Sequence, residues 1–110
     1  MVADERAVFS ALADPTRRRV LELLRDGEQP VHGLTAQLPV TQSAVSQHLK
    51  VLTDAGLVGV RSVGTRRLYA VRPDGLAPLR AYLDRFWDGV LDSFAALASK
   101  VGDEDPGGRT

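Results

Sequence analysis

The chain has 110 residues, 44% of them hydrophobic, which suits one domain with a modest core. It has no cysteine, which excludes disulfides and thiolate metal sites, and its formal net charge of +0 excludes a generally sticky polycation. No apolar run reaches the roughly 18 residues of a membrane span, and the opening MVADERAVFS is too polar for a signal peptide, so a cytoplasmic protein without membrane contact is expected.

A first helix is expected over Asp4–Ala13, with Val8, Phe9 and Leu12 on one face. In ADPTRRRVLELLRDGE, Asp14 suits an N-cap and Pro15 a first helical position. Val20, Leu21, Leu23 and Leu24 form the buried stripe, and Gly27 ends the helix. Arg17, Arg18 and Arg19 then lie in a first turn, where the macrodipole disfavours cations. Structural ion pairs with acids such as Asp14 are favoured for them, and phosphate contact is the alternative.

VHGLTAQLP predicts a short helix with Leu34 and Leu38 in the core, stopped by Pro39. A tight turn at Pro39–Val40 leads into a second helix from near Thr41 to Gly56, a left-handed cap. Two short helices so joined form a helix-turn-helix pattern. LVGVRSVGTRRLYAV reads as a β-hairpin turning at Gly64. One long helix is expected from Leu76 to Val101, with Pro78 in its first turn. The fold class is therefore mainly α with a small hairpin wing, a winged helix-turn-helix spanning 1–101, followed by a disordered acidic tail over 102–110.

The second helix of the pair, TQSAVSQHLKVL, has an unusual polar side. At about 100° per residue, Ala44, Val45, His48, Leu49, Val51, Leu52 and Ala55 share one side. Gln42, Ser43, Ser46, Gln47, Lys50, Thr53 and Asp54 share the other. Base edges in the major groove offer neutral donors and acceptors that Gln and Ser can read, whereas carboxylates would meet phosphates. Gln42, Ser43, Ser46 and Gln47 are the candidate base readers, with Lys50 placed for phosphate; an ordinary surface helix is the plainer alternative. His48, among the apolar residues, is expected to be packed and hydrogen-bonded to backbone, with DNA contact or metal ligation as the minority reading. His32 is expected to be simply exposed.

The net charge hides a split. Residues 15–72 carry nine bases against four acids, a surplus of five, between acidic ends. Twelve of the fourteen bases are Arg, which suits phosphate and guanine contacts, although GC-rich coding favours Arg too. In the hairpin, Arg66 and Arg67 are candidates for phosphate or minor-groove contact, or for plain solvation.

The stretches ALADPTRRRVLELL, SAVSQHLKVLTDAGLV and VGTRRLYAV, in this order over roughly residues 5–100, resemble the ArsR/SmtB family of bacterial winged-helix regulators. The resemblance implies a homodimeric repressor on an operator with approximate two-fold symmetry. It transfers DNA contacts to Gln42, Ser43, Ser46 and Gln47, less firmly to His48, and to Gly64, Thr65 and Arg66 in the wing. Many relatives have Arg directly after the wing glycine; Thr65 stands there, which shifts the expected tip contact to Arg66. Metal-sensing members often carry a Cys-x-Cys pair before the recognition helix or Asp and His ligands on the last helix. Neither set is present, so a non-metal-sensing type with no metal and no cofactor is expected.

The last helix concentrates Tyr82, Phe86, Trp87 and Phe94 within thirteen residues. Its apolar arc of about 180° exceeds the stripe of about 100° that faces a single core. A dimer interface through Phe9, Tyr82, Phe86, Trp87, Val90 and Phe94 is expected; a monomer core and a hydrophobic ligand pocket are the alternatives. Asp84, Asp88 and Asp92, spaced by four, fit a solvated face better than a weak site for a hard cation.

A winged-helix protein-interaction module is the second functional reading. An enzyme is the third and weakest, since no nucleophile–base set, phosphate loop or metal cluster is visible. Operator, regulated genes and any small-molecule effector stay open.

Overall fold

The computed structural model describes residues 5–102. Helix α1 (Glu5–Leu12) buries Val8 and Ala11. Leu12 is partly buried, Phe9, expected at a dimer interface, is 43% exposed, and Ala11 is buried beside Val8. Helix α2 (Pro15–Arg25) starts as its residues require: Asp14 is extended, and its Oδ2 accepts from the Arg17 backbone N–H at 3.0 Å. Val20, Leu23 and Leu24 are buried, and Leu21 is partly so.

Helix α3 (Val31–Thr35) buries Leu34, and α4 (Gln42–Asp54) buries Val45, Leu49 and Leu52. Strands β1 (Val58–Val63) and β2 (Arg66–Val71) pair antiparallel from Val58 against Val71 out to Val63 against Arg66. The two-residue loop has Gly64 at φ 64 and no positive φ at Thr65, the primed turn type that takes glycine at its first position. A short bridge adds Gln29 beside Tyr69, with N···O distances of 3.0 and 2.8 Å, and fastens β2 to the segment before α3. Gln29 also donates its side-chain amide to the Leu23 carbonyl and accepts from Gln37.

The root of the hairpin rests on a 3-10 turn, Pro73–Leu76, whose Gly75 is buried. A Cβ there would lie 2.1 Å from the Gly56 carbonyl oxygen, so only glycine fits. Helix α5 (Ala77–Gly102) follows, with Pro78 in its first turn. The chain divides into two compact units, Met1–Leu79 and Arg80–Thr110.

The core of the first unit is wholly apolar among the described residues, with Leu34, Leu49, Leu52 and Leu57 all but fully buried. Each such leucine contributes about 1.5–3 kcal/mol relative to an exposed one. In the second unit, α5 from Arg80 onward is exposed along its described side chains. The expected tail lies outside the described residues apart from Gly102, which closes α5.

Candidate nucleic-acid interface

Both ends of α4 are fixed by local chemistry. Thr41 caps the start, its Oγ1 accepting from the Ala44 N–H at 3.1 Å. At the far end Gly56, at φ 81, donates to the Thr53 carbonyl and Leu57 donates to the Leu52 carbonyl. This is the paired reverse bonding of a left-handed glycine cap. Val45, Leu49 and Leu52, none more than 1% exposed, hold one side against the core. Val51, expected on that side, is 38% exposed because it sits at the edge of the stripe.

The opposite side presents Gln42, Ser43, Ser46, Gln47 and Lys50, all exposed. The side chains of Gln42, Ser43, Ser46 and Gln47 make no hydrogen bond within the described residues. The cap is a neutral threonine, so the positive end of the helix dipole keeps no carboxylate beside it. The first acid of α4 is Asp54, and Lys50 Nζ holds it at 3.1 Å. An exposed pair of this kind contributes at most about 1 kcal/mol, so Lys50 can exchange Asp54 for another anion.

His48 lies on the anchoring side as expected, with its side chain 20% exposed, but its partners differ. They are side chains and not backbone: Nδ1 is 3.5 Å from Arg17 Nη1 and 4.0 Å from Asp14 Oδ2. Arg17 in turn donates Nε to the Ala11 carbonyl at 2.7 Å and Nη2 to the Ser10 carbonyl at 3.1 Å. One guanidinium thus joins the end of α1, the start of α2 and the middle of α4. The Arg17 backbone N–H, with smaller help from the His48 and Arg17 charges, holds the Asp14 carboxyl below its ordinary range against the opposing effect of desolvation.

This changes the account of the arginine run. Arg17 and Arg18 chiefly satisfy carbonyls at the end of α1, with Arg18 Nη1 at 2.6 Å from the Leu12 oxygen. Cations are favoured at a helix C-terminus, which offsets their place in the first turn of α2. Among the described residues, Arg19 is the one of the three with an ion pair, to Glu22 at 3.2 Å. Elsewhere in the basic middle, Arg61 grips Glu28 through two nitrogens, with Nε to Oε2 at 2.9 Å, and Arg72 meets Asp74 at 3.0 Å. The hydrogen bonds from Arg61 lower the Glu28 pKa and raise that of Arg61. Arg25 lies 3.8 Å from Asp26.

The cations of the basic middle with neither an acid nor a carbonyl partner among the described residues sit at the wing. Arg66 and Arg67 are exposed and have no acidic partner among the described residues; Arg67 rests 5.9 Å over the Tyr69 ring. Arg66, Arg67 and Thr65, with Gln42 of α4 and Pro30, Val31 and His32, line a cleft of about 270 Å³. His32 is exposed, as expected, and its place on this cleft is not marked by anything local in the sequence. The Gln29–Tyr69 bridge, a long-range contact, brings its segment beside the hairpin. A second, apolar cavity of about 260 Å³ lies between α2 and the hairpin root, lined by Leu21, Leu57, Val71 and Leu76 with Glu22, Arg25 and Arg72 at its walls.

On α5, Tyr82, Phe86, Trp87, Val90 and Phe94 are between 37% and 66% exposed. Tyr82 stacks on Phe86 at 6.4 Å between centroids, and Phe86 meets Trp87 edge-on at 5.5 Å. Asp84, Asp88 and Asp92 are exposed, and no three potential metal ligands cluster among the described residues. No helix among them is long and apolar enough to cross a membrane.

Residues 14–60 match the model of the bacterial regulatory protein arsR family. The HTH-type transcriptional regulator Rv2034 of Mycobacterium tuberculosis is 51% identical over 96 residues, covering 87% of this chain and 90% of that protein. The transcriptional repressor SmtB homolog of Synechocystis is 43% identical over 63 residues, 57% of this chain and 48% of that one. The crystal structure of a possible transcriptional regulator for arsenical resistance is 52% identical, with a TM-score of 0.66 over 79% of this chain and 91% of its own. The family, the fold and the exposed face of α4 agree: the chain belongs to the ArsR family and is a DNA-binding transcriptional regulator of winged helix-turn-helix fold.

Proposed function

We propose that the chain is a repressor that binds a two-fold symmetric operator as a homodimer. Gln42, Ser43, Ser46 and Gln47 read base edges in the major groove, and Lys50 holds a phosphate. Gly64, Thr65, Arg66 and Arg67 of the wing contact the adjacent backbone or minor groove. The observation that carries this reading is the face of α4, which is exposed, uncharged at its reading positions and without internal hydrogen bonds among the described residues. A hydrogen-bonding face left open in this way is suited to base edges and poorly suited to a dry protein contact.

The dimer is supported by α5 and by Phe9. A helix that exposes eight large apolar side chains has no core of its own, and patches of this kind mark association surfaces. Tyr82, Phe86, Trp87, Val90 and Phe94 would pack against a second copy, with Phe9 of α1 joining them, and one domain over 1–101 would be completed by its partner. Two reading helices related by a two-fold axis then require half-sites about 10 base pairs apart or a multiple of that. Occupying such a site over a promoter blocks polymerase, which is the repressor mode.

The test is the replacement of Gln42, Ser43, Ser46 and Gln47 together by alanine. Gel shifts should lose roughly 1–3 kcal/mol of operator affinity for each base contact removed. Sedimentation should show an unchanged dimer. Unchanged affinity would overturn the assignment of α4 as the reading helix.

A further inference from the structure

We propose that the cleft between α3, the start of α4 and the wing tip seats a DNA backbone phosphate, and that His32 is one of its ligands. This rests on the reading above, in which α4 enters a major groove and the wing the groove beside it. Major and minor grooves of a duplex are separated by a ridge of phosphates. Whatever lies between α4 and the wing must therefore straddle that ridge. The walls of the cleft supply the matching chemistry. Arg66 and Arg67 are cations without an acidic partner among the described residues, His32, Gln42 and Thr65 are potential donors, and none of the lining residues is acidic. Its volume of about 270 Å³ is on the order of nine water volumes, room for a phosphodiester and its hydration. The apolar cavity at the hairpin root, with a glutamate at its wall, lacks this chemistry.

His32 is suited to the task by chemistry as well as place. An imidazole donates a hydrogen bond in either protonation state. It stands in the segment before α4, fixed to the wing strand through the Gln29–Tyr69 bridge. A phosphate held there would be gripped from the α3 side by His32 and from the wing side by the two arginines.

The experiment compares the full chain with its His32→Ala and Arg67→Ala variants, titrating operator duplex from 50 to 200 mM salt. In Arg67→Ala, losing one phosphate cation should flatten the log–log salt slope by about 0.9, so that over the fourfold change in salt the affinity gap to wild type narrows by about 3.5-fold. In His32→Ala, losing a hydrogen bond to a phosphate should weaken binding at every salt concentration. The ranking of operator variants should not change, and His32→Gln, which keeps a donor, should recover part of the loss. A scan of neutral methylphosphonates along the operator should find a position whose neutralisation weakens wild type but not His32→Ala. Unchanged operator affinity in His32→Ala, or an unchanged slope in Arg67→Ala, with melting temperatures also unchanged, would overturn the proposal. A failure of the base-reading assignment looks different: wild type would then show no preference for operator over random duplex, whatever the slopes of the variants.

Discussion

Helices α2 and α4 are built to the same plan on one side and to opposite plans on the other. Each buries a stripe of branched aliphatics, with Val20, Leu23 and Leu24 in one and Val45, Leu49 and Leu52 in the other. Their polar sides diverge. Helix α2 is capped by a carboxylate, and its arginines are spent on the α1 carbonyls and on Glu22. Helix α4 is capped by a neutral hydroxyl, and four of its polar side chains bind nothing among the described residues. A polar side chain with an internal partner stabilises the fold, whereas one without a partner is available to another molecule. The same division sorts the cations of the basic middle, for among the described residues only the wing pair Arg66 and Arg67 lacks an anionic or carbonyl partner.

The largest expected effect tests the shared half of the plan. Leu24→Ala and Leu49→Ala should each destabilise the fold by about 2–5 kcal/mol in urea melts, since both leave a cavity in the same core. A much smaller loss for Leu49→Ala would mean that α4 is less firmly anchored than α2. Next comes the divergent half. Arg17→Ala should cost roughly 1.5–3 kcal/mol of stability, because it strips charged hydrogen bonds from the Ser10 and Ala11 carbonyls. Gln47→Ala should leave stability within about 0.5 kcal/mol, as for an unpartnered surface residue. Thr41→Asp is a smaller and sharper test. Aspartate caps at least as well as threonine, so thermal stability should hold or rise. Operator affinity should fall by about 1 kcal/mol, because the carboxylate cancels the positive end of α4 where phosphates approach.

The smallest effect is in acid. Asp14 and Glu28 have folded-state pKa values held below ordinary by hydrogen bonds from the Arg17 backbone and from Arg61. Their contribution is therefore complete above the unfolded carboxylate range, near pH 4, and is lost as pH falls through the depressed folded values. Melting temperature should drop across that window, and Asp14→Asn should flatten the drop.

Much of this was legible in the chain because it is local. The Asp14–Pro15 start, the Gly56 cap, the hairpin at Gly64 and the two sides of α4 are all set by residues within one or two turns of each other. What escaped depends on tertiary placement. Arg17 reaches back six and seven residues around the α1–α2 corner, and forward thirty-one to His48, so its run looked like a set of ion pairs. His48 was placed on the correct side but given the wrong partners for the same reason. His32 is exposed as expected, but its place beside the wing comes from the bridge between Gln29 and Tyr69 and is not local. Val51 shows the limit of periodicity, which finds an apolar stripe but not which of its edges the core covers.

The central claim is that the open face of α4 reads bases. Selection from a pool of random duplexes tests it most directly, run with wild type and with the Gln42, Ser43, Ser46 and Gln47 alanine variant. Wild type should enrich a two-fold symmetric consensus, and the variant should lose that consensus while keeping salt-dependent binding. A wild type that enriches no consensus, or a variant that selects the same one, would contradict it.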